Sequence, residues 1–98
     1  MNSNFDFILS QWPKIAETAL EAEKHAFTAP VTSAFYSRMT LEKTVGWLYS
    51  HDNDLQEPYE STLSARMYES SFKNLIPGSI YNEINFIRRE GNNAAHGK

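Results

Sequence analysis

IRREGNNAAHGK, residues 87–98, is the most informative stretch for the fold, because it ends the clearest helical pattern in the chain and then breaks that pattern. The isoleucines that lead into it recur at steps of four and three residues: Ile80, Ile84 and Ile87. This spacing places all three on one face of a helix. The pattern predicts a helix from Ile80 to about Glu90.

Gly91 and the residues after it predict how that helix ends. Glycine commonly follows the last turn of a helix, and Asn92 or Asn93 can cap another helix that begins at Ala94. A helix from Ala94 to Lys98 is too short to be stable alone. We therefore expect a domain whose C-terminal end is truncated.

Four more helical segments are predicted upstream of this stretch. Asn4 can cap a short helix that starts at Phe5, and Pro13 suits the first turn of the next helix because it lacks an N–H. The predicted segments are a helix from Phe5, helices over 13–27, 31–51 and 62–69, and an ambiguous stretch at 70–75. We therefore predict one all-α domain over residues 1–98, an antiparallel bundle of about four to five helices.

Composition and charge limit the classes of function. The chain has 98 residues, 41% of them hydrophobic, and no cysteine, which excludes disulfides and thiolate metal sites. Residues 1–60 carry four Lys/Arg and nine Asp/Glu, and residues 61–98 carry five and three. A dedicated DNA-binding domain is usually strongly basic, so we do not expect tight DNA binding by this domain alone.

Several kinds of signal are missing from the sequence. No apolar run approaches the roughly 18 residues that span a membrane, and the first residues lack the pattern of a signal peptide. We therefore expect a cytoplasmic protein without membrane contact. No glycine-rich phosphate loop occurs, and no His/Asp/Glu spacing predicts a metal site or a cofactor in this domain.

Arg38 and Glu42 are the first charged pair of interest. They lie on a predicted stripe of the 31–51 helix, whose members are Val31, Phe35, Arg38, Glu42, Val45 and Tyr49. A charge on a core-facing stripe must be paired, because an isolated buried charge is very costly. Two interpretations remain open: a simple intrahelical pair at the bundle edge, or a Glu42 that also holds a basic residue from another helix.

Polar residues near the C-terminus form the second group, and they are Arg88, Arg89, Asn92, Asn93 and His96. Such residues can cleave RNA, with a histidine as general base and an arginine on the phosphate. They can equally form a structural network in which Arg88 reaches Glu42 and His96 bonds a backbone carbonyl. Among the other candidates, we expect His25 and His51 on the surface and Trp12 and Trp47 in the core or an interface.

These residues, in this order, resemble a known family. The matching segments are Asn4-Phe5-Asp6-Phe7, Trp12-Pro13, Ala22-Glu23, Arg38-x-x-x-Glu42, Ile87-Arg88, Gly91-Asn92 and Ala94-Ala95-His96-Gly97. Together they resemble the N-terminal helical domain of the restriction (R, motor) subunit of type I restriction–modification enzymes. This domain is related to the HEPN (higher eukaryote and prokaryote nucleotide-binding) superfamily.

The resemblance implies a much longer parent protein. Such R subunits continue into a nuclease domain and an ATP-driven DNA translocase, which use ATP and magnesium. They assemble with modification and specificity subunits and reach DNA through that complex. For this domain the resemblance implies docking or regulation, on the remainder of the R subunit or its partners, and no catalysis of its own.

Two alternatives follow from the same resemblance. HEPN ribonucleases are metal-independent and carry an arginine and a histidine a few residues apart, often in a dimer that brings two motifs together. Here seven residues separate Arg88 from His96, and six separate Arg89 from His96. By analogy Glu42 would face Arg88, in a structural network of Arg38, Glu42, Arg88 and Asn92. A third hypothesis is a regulatory nucleotide-binding module with Arg88 and Arg89 on phosphate.

Overall fold

A computed structural model describes residues 11–95, and within this range the protein is all-helical. Its five helices are α1 (Pro13–Lys24), α2 (Pro30–His51), α3 (Leu63–Tyr68), α4 (Ser70–Leu75) and α5 (Gly78–Ala95). The predicted all-α bundle is confirmed. The predicted short helix at Phe5 and the candidate His96 lie outside the described residues.

The first two helices begin at prolines, as the sequence predicts for Pro13. A proline at the first helical position loses no hydrogen bond, and its fixed φ suits the helix. The predicted extension of α1 to residue 27 is wrong: α1 ends at Lys24, and residues 25–28 form a turn. Pro30 disfavours a helix that continues through this turn, because proline has no N–H to bond the carbonyl of Ala26 and its ring would clash there.

The central helix α2 packs against α1 on one side and α5 on the other. Thr40 donates to the hydroxyl of Thr18 at 2.9 Å, and Ser33 donates to the carbonyl of Ala22 at 2.7 Å. Later residues of α2 therefore meet earlier residues of α1, so the two helices are antiparallel. Within the described residues, no helix is both long and apolar enough to cross a bilayer.

The apolar core lies where the C-terminal half of α2 meets α3 and α4. Its buried members are Leu41, Val45, Leu55, Leu63, Met67 and Phe72. Two tyrosine hydroxyls fasten α3 to the long helices: Tyr49 donates to the carbonyl of Arg66 at 2.7 Å, and Tyr81 donates to that of Met67 at 2.9 Å. The predicted stripe on α2 is correct at Val45 and wrong at Val31 and Phe35, which are exposed.

Side-chain caps define the two short helices. The hydroxyl of Thr62 accepts a hydrogen bond from the backbone N–H of Ala65 at the start of α3. The carboxylate of Glu69 accepts one from the backbone N–H of Ser71 at the start of α4. Such caps satisfy N–H groups that have no partner inside the helix. The predicted 62–69 helix is therefore confirmed, and the ambiguous 70–75 stretch is helical.

The last helix, α5, corrects the prediction for the C-terminal stretch. It runs without a break from Gly78 to Ala95, so Gly91 does not end it and no separate helix begins at Ala94. Neither Asn92 nor Asn93 is a cap, because both lie inside α5. Gly91 is buried against α2 instead. The glycine thus serves helix packing and not helix termination.

Candidate functional site

The candidate site lies where α5 crosses α2 at Gly91. A Cβ added to Gly91 would stand 2.2 Å from the Cβ of Arg38 and 2.9 Å from its Cγ and Cδ. The first carbon of a side chain cannot move aside unless its backbone moves too. The absence of a side chain at Gly91 therefore allows α2 and α5 to approach this closely, and it fixes the position of Arg38.

Arg38 and Glu42 form an ion pair within α2. Arg38 Nη1 lies 3.7 Å from Glu42 Oε2, and the side chains are 25% and 52% exposed. The predicted intrahelical pair is confirmed, but at this distance it is not a hydrogen bond. Arg38 Nε is buried, and no described residue offers it a hydrogen-bond partner. Arg38 is thus held mainly by packing, and Glu42 is largely solvated.

Arg88 has a local partner. Its Nε donates to Asn85 Oδ1 at 3.1 Å, three residues earlier on α5. The predicted contact between Arg88 and Glu42 is wrong: the ion pairs among residues 11–95 do not join them. An arginine has five N–H donors, so Arg88 keeps further donors for a ligand or partner.

The remaining candidates lie along the same helix. Arg89 is exposed and Asn92 is half-buried, one turn beyond Arg88. Because α5 is continuous, Arg88 and Asn92 share a helix face at i,i+4 spacing. His96 lies outside the described residues. Of the other candidates, Arg38 and Glu42 lie at the Gly91 crossing. Arg88 and Asn92 lie on α5, the helix that carries Gly91.

The histidines and tryptophans within the described range make aromatic contacts that the sequence analysis did not predict. His51 is exposed, as predicted, and stacks on Trp47 with ring centroids 4.2 Å apart. His25 is half-buried, stacks on Tyr36 and lies 3.6 Å from Glu21. The i,i+4 spacing of Trp47 and His51 is a signal in the sequence that could have identified their contact.

A second charged cluster surrounds Arg66 of α3. Arg66 Nη2 and Nε donate to Glu57 Oε1 at 2.7 and 3.1 Å, and these hydrogen bonds, with one from Ser61, lower the pKa of Glu57. Hydrogen bonds from Ser71 lower the pKa of Glu69. Burial raises the pKa of Tyr49, and nearby Glu69 and Glu57 raise it further. These groups fasten the 57–72 segment and do not converge on the Gly91 crossing.

Among residues 11–95 there is no group of three or more His, Asp or Glu side chains placed to hold an ion.

Comparisons with protein-family models, with curated proteins and with solved structures each find no match to this chain.

Proposed function

We propose that this chain is an accessory domain of the restriction subunit of a type I restriction–modification enzyme, and that it serves docking or regulation and not catalysis. The parent would be an ATP-dependent DNA translocase and endonuclease acting on unmodified foreign DNA in the cytoplasm. ATP and magnesium would act in other domains of that parent. The sequence resemblance, from Asn4-Phe5 to His96-Gly97, supports the assignment to this parent.

The observation that carries the docking role is an apolar stripe formed by Phe27, Val31 and Phe35. Phe27 is 99% exposed, Val31 64% and Phe35 38%. The three residues lie four apart, on the turn before α2 and on its first two turns. Exposed large apolar side chains close together in the chain are typical of interaction sites, because their burial against a partner is favourable.

The stripe also lies beside the end of α5. A shallow groove of about 210 Å³ joins Pro30, Val31 and Ala34 of α2 to Glu90, Asn93 and Ala94 of α5. The groove thus brings Val31 of the stripe next to the last described turn of α5. The remainder of the R subunit is therefore the occupant that we propose, with the modification and specificity subunits as partners of the whole assembly.

The docking role can be tested in cells that carry the parent enzyme. Phe27→Ser combined with Val31→Ser should lower restriction of unmodified phage, because it removes apolar surface by which the domain would dock on the rest of the R subunit. Phe86→Ser is the matched control, since Phe86 is an exposed aromatic residue outside the stripe. Full restriction by the stripe variant would overturn the docking role.

The assignment to this parent has its own test. The genes beside the one that encodes this chain should specify modification and specificity subunits. A locus without them would contradict the assignment, whatever the outcome for the stripe variants.

The alternative function is a metal-independent HEPN-type endoribonuclease or toxin-like domain that uses Arg88 and His96. One observation favours it: α5 is continuous through residue 95, so the predicted helix break within this motif is absent. Against it, Arg88 Nε is engaged by Asn85. Cleavage of RNA in the presence of EDTA distinguishes this alternative from the docking role.

A further inference from the structure

A separate cleft lies between the start of α1 and the C-terminal half of α2. It has a volume of about 500 Å³, and the lining residues that matter here are Trp12, Lys14, Lys43, Trp47 and His51. We call this the Trp cleft. Its size falls in the range of small-molecule sites, roughly 300–1,000 Å³. Neither the docking stripe nor the Gly91 crossing contributes to it.

Aromatic rings form the apolar part of the Trp cleft. Trp12 and Trp47 meet edge to face, with ring centroids 5.8 Å apart and planes at 90°. His51 stacks on Trp47 with planes 15° apart. The backbone carbonyl of Trp47 accepts a hydrogen bond of 2.8 Å from His51 Nδ1, which holds the imidazole in place. These contacts arrange three rings in advance, so binding would cost little side-chain entropy.

Two lysines carry the charge of the Trp cleft among the residues that the structure describes. The described residues that line it include Lys14, Lys43 and His51 and no Asp or Glu, although the chain as a whole carries a net charge of −3. Lys43 Nζ donates to the backbone carbonyl of Lys14 at 3.0 Å. An ammonium has three donors, so two remain, and this hydrogen bond keeps the charge of Lys43 beside Lys14.

The start of α1 adds to the positive character of this site. Pro13 is the first residue of α1, no side chain caps the helix, and its first turn contains no acidic residue. The N-terminal end of a helix carries a partial positive charge. Lysines, aromatic rings and this helix end therefore meet in one concave surface.

We propose that the Trp cleft binds a planar aromatic molecule that carries an anionic group. The ring system packs against Trp12 and Trp47, and the anionic group lies near Lys14 and Lys43. Aromatic stacking supplies the apolar contribution. The two lysine ammonium groups favour an anionic ring system over an uncharged one. This inference is independent of the proposed parent enzyme, because it depends only on residues of the cleft.

The test is an NMR titration of the whole 98-residue chain with 2-naphthoate. The chain has only two tryptophans, and both line the cleft, so their two indole N–H signals report the site directly. We expect saturable shifts of both signals, and about tenfold weaker binding of the uncharged 2-naphthamide. Acetate, which has the charge without the ring, should not saturate the site. Equal binding of 2-naphthamide, or no saturable shift with 2-naphthoate, would overturn the proposal.

Variants assign the binding to these side chains. Lys14→Gln with Lys43→Gln should weaken 2-naphthoate binding about tenfold and leave 2-naphthamide unaffected. Lys73→Gln is the matched control, because Lys73 lies over the ring of Tyr68, away from the cleft. Trp47→Leu should abolish saturation, and the dispersion of its backbone amide signals reports whether it folds. Unchanged affinity in the double lysine variant would contradict the proposed role of the charges.

Discussion

Gly91 of α5 lies directly against Arg38 of α2, so closely that a Cβ on Gly91 would stand 2.2 Å from the Cβ of Arg38. This contact sets the distance between the two longest helices. It also explains why a glycine occupies the middle of a helix, where it costs about 1 kcal/mol relative to alanine. The cost is offset by the close packing that only glycine allows.

Gly91→Ala should therefore destabilise the protein by about 1–3 kcal/mol, because the added methyl group forces the two backbones apart. Urea unfolding followed by circular dichroism measures this change. Gly78→Ala is the matched control, since a Cβ there meets nothing within 4 Å. Equal stability of the Gly91→Ala and Gly78→Ala proteins would show that the helices do not approach as described.

Phe72 is fully buried in the core, between Tyr49 and Tyr81. Phe72→Ala should cost about 3–5 kcal/mol, because it leaves a cavity beside two aromatic rings. Thermal and urea unfolding measure the loss. Phe86→Ala, on the exposed face of α5, should cost about 0.5 kcal/mol or less. Comparable losses in the two variants would contradict the location of the core.

Glu42 should contribute little to stability, because its side chain is about half exposed and its carboxylate lies 3.7 Å from Arg38 Nη1. We expect Glu42→Ala to cost less than about 1 kcal/mol in urea unfolding. Glu83→Ala, at an exposed position of α5, serves as the control. A loss of about 3–5 kcal/mol is typical of a broken buried ion pair, and it would restore the hypothesis that Glu42 also holds Arg88.

The lowered pKa values of Glu57 and Glu69 predict that the protein loses stability in acid. Hydrogen bonds from Arg66 lower the folded-state pKa of Glu57, and those from Ser71 lower that of Glu69. A carboxyl whose pKa is lowered by folding makes its full contribution to stability when the pH is above its pKa in the unfolded chain, about 4.3 for glutamate. That stabilisation is lost as the pH falls through the folded-state pKa.

The Glu57→Gln, Glu69→Gln double variant should therefore melt at a lower temperature at pH 7 and show a smaller further decrease between about pH 5 and pH 3. Glu60→Gln, at an exposed position in the same segment, should keep the full acid dependence. Thermal melts across this range measure both effects. An acid dependence unchanged in the double variant would exclude these two carboxyls as its source.

Local signals in the sequence predicted most of the helices. Pro13 marks the start of α1 because the effect of proline on φ and on the N–H is local. Gly91 shows where such reasoning fails. Glycine is favoured both at helix ends and where two helices cross closely, and only the position of Arg38 across the crossing distinguishes the two. No pattern near Gly91 reveals a residue more than fifty positions earlier.

The candidate site was partly predictable for the same reason. Arg38 and Glu42 are four residues apart on one helix, so their pairing follows from helical geometry. The predicted contact of Glu42 with Arg88 depends on the rotation of α5 relative to α2, and a local partner, Asn85, takes Arg88 Nε instead. Trp12 lies just before α1 and Trp47 lies on α2, so their edge-to-face contact could be seen only in the packed structure.

Whether this domain docks or regulates, and does not catalyse, can be tested directly by an assay for metal-free RNA cleavage. The purified chain should be incubated with single-stranded and structured RNA in EDTA, beside His96→Ala and Arg88→Ala proteins. We expect no cleavage by the unaltered chain beyond that seen with either variant. Robust cleavage that disappears in both His96→Ala and Arg88→Ala would contradict it and identify the domain as a ribonuclease.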